Sequence, residues 1–255
     1  MGDDPRAELM ALVASAAEHL RHELDLGNTA LPVFEGPLEA APAFSGETAA
    51  VPPVEAPPAA AASAAMGTRG GLAVVAEEAR TCTRCRLHEG RTKSVFARGS
   101  ETASLVFVGE GPGFHEDQQG VPFVGRAGQL LDKMIVAMGF DPAEVYICNV
   151  VKCRPPNNRT PNPDEAAECL PFLRAQLEVV KPEVIVALGR CAAENLGVAE
   201  AGRRWRGEWG TWEGVRVMPT YHPAYLLRNP ENKRVVWQDL QAVVKTMGRE
   251  LPARS

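Results

Sequence analysis

Four short apolar runs punctuate the chain, and most are followed by a stretch with helical spacing. The runs 105–108 (LVFV), 145–151 (VYICNVV), 184–188 (VIVAL) and 215–218 (VRVM) are short and rich in β-branched residues. Uninterrupted runs of this kind predict strands buried on both faces of a parallel sheet. Around them, 72–80, 127–138, 163–180, 189–196 and 233–247 carry apolar residues three and four apart, which predicts helices. The helix at 163–180 is opened by Asn162 or Pro163 and carries Asp164 and Glu165 in its first turn, where the helix dipole favours acids. Strands alternating with helices give an α/β fold with a parallel sheet.

The first quarter of the chain follows another pattern. Leu9, Leu12, Val13, Ala16, Leu20 and Leu24 recur at helical spacing with charges opposite. This helix either packs on its own protein or docks a protein partner. From 27 to 67 there is no basic residue, and Ala and Pro dominate. Such a segment buries too little apolar surface to offset its ordering entropy, so a disordered tether is expected. The organisation predicted is an amphipathic helix over 1–26, an Ala/Pro-rich linker over 27–69 and one folded domain over 70–255. No apolar run approaches membrane-spanning length, and MGDDPRAELM lacks the basic-then-apolar pattern of a secretory signal. A cytoplasmic monomer without a membrane partner is expected.

Charge changes the picture once it is divided. The net charge of −5 conceals residues 1–68, with two basic residues and ten acidic, and 69–255, with the other 25 basic against 22 acidic. The predicted domain is therefore mildly basic, compatible with a nucleic-acid partner.

The candidate chemistry centres on 105–125, LVFVGEGPGFHEDQQGVPFVG. Gly109-Glu110-Gly111-Pro112-Gly113 follows the first strand at once, where open α/β sheets bind ligands. A plain Gly/Pro turn is the bland alternative. Glu116-Asp117 and Phe123, held in GVPFVG, favour a ligand site, with the ring as a flat surface. The loop has neither the Lys-Ser/Thr of a phosphate-binding P-loop nor the GxGxxG spacing of dinucleotide folds. A flat, neutral ligand fits better than a nucleotide phosphate.

Six cysteines suggest metal ligation or burial rather than disulfides. Cys82 and Cys85 form a CxxC pair; Cys153 and Cys169 stand 16 residues apart. Four thiolates could hold a tetrahedral zinc ion or a 4Fe–4S cluster, and spacing does not choose. A redox dithiol at the CxxC lacks thioredoxin-like surroundings. Arg84, Arg86, Arg91 and Arg154 crowd both pairs, which suits either a negatively charged cluster or a surface facing phosphates. Cys148 and Cys191 read as structural.

Together, GEGPGFHED, GVPFVG, the strand ending in Asn149-Val-Val-Lys-Cys-Arg-Pro-Pro, the four cysteines and His222-Pro223-Ala-Tyr-Leu-Leu-Arg228 resemble the family 4 uracil-DNA glycosylases, the iron–sulfur type. The resemblance covers about 70–248 and says nothing of 1–68. It implies a three-layer α/β/α sandwich with a mainly parallel four-stranded sheet. It implies a 4Fe–4S cluster of structural role on Cys82, Cys85, Cys153 and Cys169, and a monofunctional enzyme that hydrolyses the N-glycosidic bond of deoxyuridine in single- or double-stranded DNA. Mapped by motif, Glu110, Gly111 and Pro112 lie in the loop that contacts uracil, Phe123 stacks on it, Asn149 reads its edge, and His222 assists the leaving group.

The chemistry agrees with these roles. Glycosidic cleavage develops oxocarbenium character at the sugar and negative charge on the departing base. A donor aimed at that charge acts as an oxyanion hole does. A carboxamide carries both an acceptor and donors and can pair with uracil N3–H and O4. The base must leave the duplex to be reached, and Phe123 can stack on it once flipped. Arg228, Arg154, Lys152 and Arg159 are candidates for the phosphate backbone, and Leu226 and Leu227 for a wedge that fills the vacated stack. The Asp that orients water in some related enzymes is matched by Gly111. Glu116 is the preferred substitute, with Glu110, Asp117 and Asn158 as alternatives, or the electrostatics of the site and the DNA phosphates acting without a base. The basic, His-bearing insert of a related, DNA-linking branch is missing after Val151, so turnover is expected. A damage-binding module without activity and a zinc-dependent nucleotide hydrolase are the competing readings.

Overall fold

The computed structural model describes residues 71–199 and 205–252. The expected N-terminal helix and linker lie outside the described residues. All four predicted strands form and lie side by side in parallel. They are β2 (Leu105–Gly109), β3 (Tyr146–Asn149), β4 (Val184–Leu188) and β6 (Val215–Thr220), in the order β3-β2-β4-β6. The sheet nevertheless has six strands, not four. β1 (Ala97–Gly99) and β5 (Gly210–Trp212) add antiparallel edges beside β3 and β6. Each edge strand is three residues long, which leaves too few positions for a hydrophobic period to register.

The layers follow from side-chain alternation along the strands. Leu105 and Phe107 face one core with Leu131, Ile135, Leu226, Leu240 and Val243. Val106 and Val108 face the other with Val75, Phe172, Leu173, Ala192 and Ala193. Helices α1 (Gly71–Thr81), α4 (Pro163–Val180) and α5 (Arg190–Asn195) therefore cover one face. The other is covered by α3 (Arg126–Ala137), α6 (Pro223–Arg228) and α7 (Lys233–Thr246), completing an α/β/α sandwich. Two one-turn-scale helices escaped the sequence pattern: α2 (Phe114–Gln119) and α6.

Register places the chemistry. Gly109 pairs with Asn149, and Leu188 with Thr220, so all four parallel strands end along one rim. The chain leaves β2 toward β3 and returns across it to β4, and crevices at such reversals are where open sheets bind ligands.

Candidate active site and cysteine hollow

Three side chains predicted from sequence meet at this rim. A Cβ at Gly109 would stand 2.4 Å from Asn149 Oδ1 and 2.6 Å from Phe123 Cζ, so the carboxamide and the ring meet over that glycine. Phe123 and His222 have centroids 5.5 Å apart with their planes tilted by 31°. Asn149 is buried, and its Oδ1 is a buried acceptor without a hydrogen-bond partner. Leaving such a group unpaired costs about 1–3 kcal/mol. A ligand N–H would satisfy it.

The loop bearing Phe123 is strained. Phe123 has φ 55°, a left-handed backbone that bulky residues rarely adopt, at a cost of about 1–3 kcal/mol. Glu116 holds it there: Oε1 accepts the Val124 N–H at 3.0 Å and the Gly125 N–H at 2.9 Å. Gly128 on α3 lets the helix approach, because a Cβ there would stand 1.7 Å from the Phe123 carbonyl oxygen. Sequence reasoning missed this clamp, since nothing local links residue 116 to residues 124 and 125.

His222 caps α6, and its Nδ1 accepts the Ala224 N–H at 3.1 Å. That bond leaves the proton of the neutral ring on Nε2, the opposite edge. Burial, with Arg228 adding to it against a smaller opposing pull from Glu116, lowers the His222 pKa to about 4. The imidazole is therefore a neutral donor at physiological pH. Because the folded value lies below the ordinary one of 6.5, its contribution to stability is complete above 6.5 and is lost as pH falls toward 4. Nuclear magnetic resonance of the ring should find an inflection near 4; one at 6.5 would contradict the neutral ring of this half-buried site. The strand preceding His222 is anchored from α7: Asp239 accepts from Thr220 Oγ1 at 2.6 Å and from Arg206 Nη1 at 2.7 and 3.0 Å.

The remaining candidates divide. Pro112 is buried in the first loop, and Gly111 packs under Val151, whose Cγ2 would be 2.7 Å from a Cβ at 111. Glu110 lies beside the buried Cys191. Asp117 is buried and accepts the Thr92 N–H at 2.9 Å, and Asn158 accepts from Arg154 Nε at 2.7 Å, so both have structural partners. Lys152 is buried and Arg159 forks onto Glu165 with two 2.7 Å bonds, which removes both from the expected phosphate contacts. Leu226 is core, whereas Leu227 is exposed. Arg228 is exposed and Arg154 partly so.

Gly109→Ala follows directly from this geometry. The methyl group would collide with Asn149 Oδ1 and the Phe123 ring, so both must shift, and the activity of this rim should fall sharply with some loss of thermal stability. Retained activity would contradict the placement of the slot.

Cys82, Cys85, Cys153 and Cys169 line one hollow, partly open to solvent, with Lys152 and Phe172. Among the described residues, no three Cys, His, Asp or Glu side chains converge tightly enough for a single metal ion. Cys153 Sγ accepts from Arg91 Nη1 at 3.1 Å, and Cys169 Sγ from the Lys152 N–H at 3.3 Å. Burial pushes the thiols of Cys85, Cys153 and Cys169 up, that of Cys169 to about 12. Arg84 lies over the Phe172 ring at 4.5 Å, and Arg86 faces Asp164 and Glu165. Cys148 and Cys191 are buried, as their structural reading requires.

The family profile of the Uracil DNA glycosylase superfamily matches residues 96–241. The chain is 47% identical to a type-4 uracil-DNA glycosylase of Thermotoga maritima over 184 residues, 70% of this chain and 96% of that one. It is 41% identical to a type-4 uracil-DNA glycosylase of Archaeoglobus fulgidus, over 70% of this chain and 94% of the relative. A type-5 uracil-DNA glycosylase of Pyrobaculum aerophilum is 34% identical, over 58% of this chain and 72% of its own. No helix among the described residues is long and apolar enough to cross a membrane. With its rim of Phe123, Asn149 and His222 and this extent of identity, the chain belongs to the uracil-DNA glycosylase superfamily, among the type-4 enzymes.

Proposed function

We propose that the protein repairs DNA by hydrolysing the N-glycosidic bond of deoxyuridine, with Phe123, Asn149 and His222 as the base site. The observation that carries this reading is the unpaired, buried Asn149 Oδ1 beside an aromatic ring and a neutral imidazole donor. Oδ1 accepts uracil N3–H and the amide group donates to O4. Phe123 stacks on the flipped base, and Glu110, Gly111 and Pro112 form the loop beside it. As C1′–N1 breaks, its electron pair goes to uracil, and His222 Nε2–H donates to the anion at O2. Water then joins C1′ and gives up a proton, which Glu116 accepts and passes through solvent to the uracil anion, leaving free uracil and an abasic site. Arg154 and Arg228 hold phosphates, and Leu227 is the wedge. DNA is the partner, single- or double-stranded, for a monomeric cytoplasmic enzyme. Residues 1–26 and 27–69 serve as a docking helix and its tether, outside the domain at 70–255.

For the water, Glu116 is the catalytic candidate: Oε1 is occupied by two amides, which leaves Oε2 for a water. Glu116→Gln keeps an oxygen for the clamp but removes the base. Excision should slow by about 10²-fold or more, the scale of general base catalysis, at unchanged melting temperature. An equal loss of stability would assign the residue to the clamp alone.

The four cysteines fit a 4Fe–4S cluster better than zinc, because they ring a hollow lined by N–H···S donors. Bound there, the cluster would supply structural cross-linking of α1, the loop at 153 and α4. Iron and sulfide analysis tests it, and zinc at one equivalent would contradict it. Excision itself is tested by incubating the protein with a uracil-containing oligonucleotide and treating with alkali. Strand breakage at uracil is expected; an intact strand from folded protein would refute the reading.

A further inference from the structure

Lys152 touches both sites. Its backbone N–H donates to Cys169 Sγ at 3.3 Å, and its Nζ donates to the Asn149 carbonyl oxygen and to Gln176 Oε1, each at 2.6 Å. Gln176 passes the contact on to the Phe96 carbonyl and to Tyr146 Oη, both at 3.0 Å. The side chain is only 1% exposed, and the groups of opposite potential charge that face it are Cys148, Cys169 and Cys153 rather than a carboxylate. A lysine buried in this way is costly, and an apolar residue of the same volume would pack as well at less cost.

We propose that Lys152 is a positioning residue that ties the filling of the cysteine hollow to the placement of Asn149. The inference rests on the base site and cluster assigned above. Cys82, Cys85, Cys153 and Cys169, with Lys152 lining the same hollow, would hold a cluster whose negative charge would lie near the lysine, where the low dielectric strengthens the attraction. The ammonium is then fixed between that charge and the carbonyl at the end of β3. The next two amides extend the link, since the Val150 N–H donates to the Gly109 carbonyl at 2.9 Å and the Val151 N–H to the Glu110 carbonyl at 3.1 Å. With the hollow empty, the charge that offsets the buried lysine is gone and the hold on Asn149 loosens.

Lys152→Met keeps length and removes the donor. In the full-length, cluster-loaded protein, loss of iron to a chelator should quicken and the uracil-over-cytosine excision ratio should fall, each by about tenfold, within the usual range of site-to-site coupling. Tyr146→Phe, which trims the far end of the same buried network, should change neither. Wild-type values for both readouts in Lys152→Met, or a change in one alone, would overturn the coupling. A wild-type protein without iron or without excision would instead refute the function above. If Lys152→Met does not fold, hydrogen exchange of the wild type before and after iron removal decides. The Val150 and Val151 amides should lose protection, and unchanged protection would overturn the proposal.

Discussion

Replacing His222 by alanine should slow uracil release by about 10²–10³-fold, the usual loss on removing one oxyanion donor, while affinity for uracil-containing DNA stays nearly constant. The asymmetry comes from where the ring sits. Nδ1 is committed to the Ala224 amide, so Nε2–H is the free donor, and it meets charge that exists only once the glycosidic bond has begun to break. The N-cap bond fixes the tautomer, so the proton of the neutral ring stands on Nε2. Single-turnover rates and binding curves separate the two effects. Matched losses in both would make His222 a residue that holds DNA or the loop, not one that acts on the leaving base.

Asn149→Asp carries the second large effect. The carboxylate keeps an acceptor for uracil N3–H but sets a second lone pair against O4, so uracil loses a hydrogen bond and gains a repulsion. Cytosine, with its amino donor in that position, is disfavoured less. Sites built around a hydrogen bond reject the wrong partner by about 10⁴–10⁵-fold, and the uracil-over-cytosine ratio should fall by at least about 10²-fold of that. Competition between two labelled oligonucleotides measures it. An unchanged ratio would remove Asn149 from base reading, and would leave its orphaned oxygen without a purpose.

Legibility in the sequence followed the range of the interactions. Parallel strands buried on both faces write unbroken apolar runs into the chain, so β2, β3, β4 and β6 were visible, and with them the rim where Asn149 and His222 stand. Phe123 was legible because an aromatic residue in a Gly/Pro loop has little to pack against locally. The edge strands β1 and β5 were not, because three residues on a sheet edge need no hydrophobic pattern. Charged residues near the site were harder still. Lys152 and Arg159 looked like phosphate contacts, yet one is enclosed by Gln176 and the end of β3 and the other is spent on Glu165. Both partners lie on α4, and only the folded chain brings that helix alongside. Glu116 reads from sequence as a water-orienting carboxylate, whereas its Oε1 holds a strained loop eight and nine residues on.

The central claim is that one rim, over Gly109, receives a uracil edge at Asn149 and a uracil oxygen at His222. Titrating free uracil into the full-length protein, with the Asn149 side-chain amide and the His222 ring followed by nuclear magnetic resonance, tests it most directly. Uracil should shift both signals together and saturably, and cytosine should leave them in place. Shifts of neither group, or equal shifts with cytosine, would contradict the account.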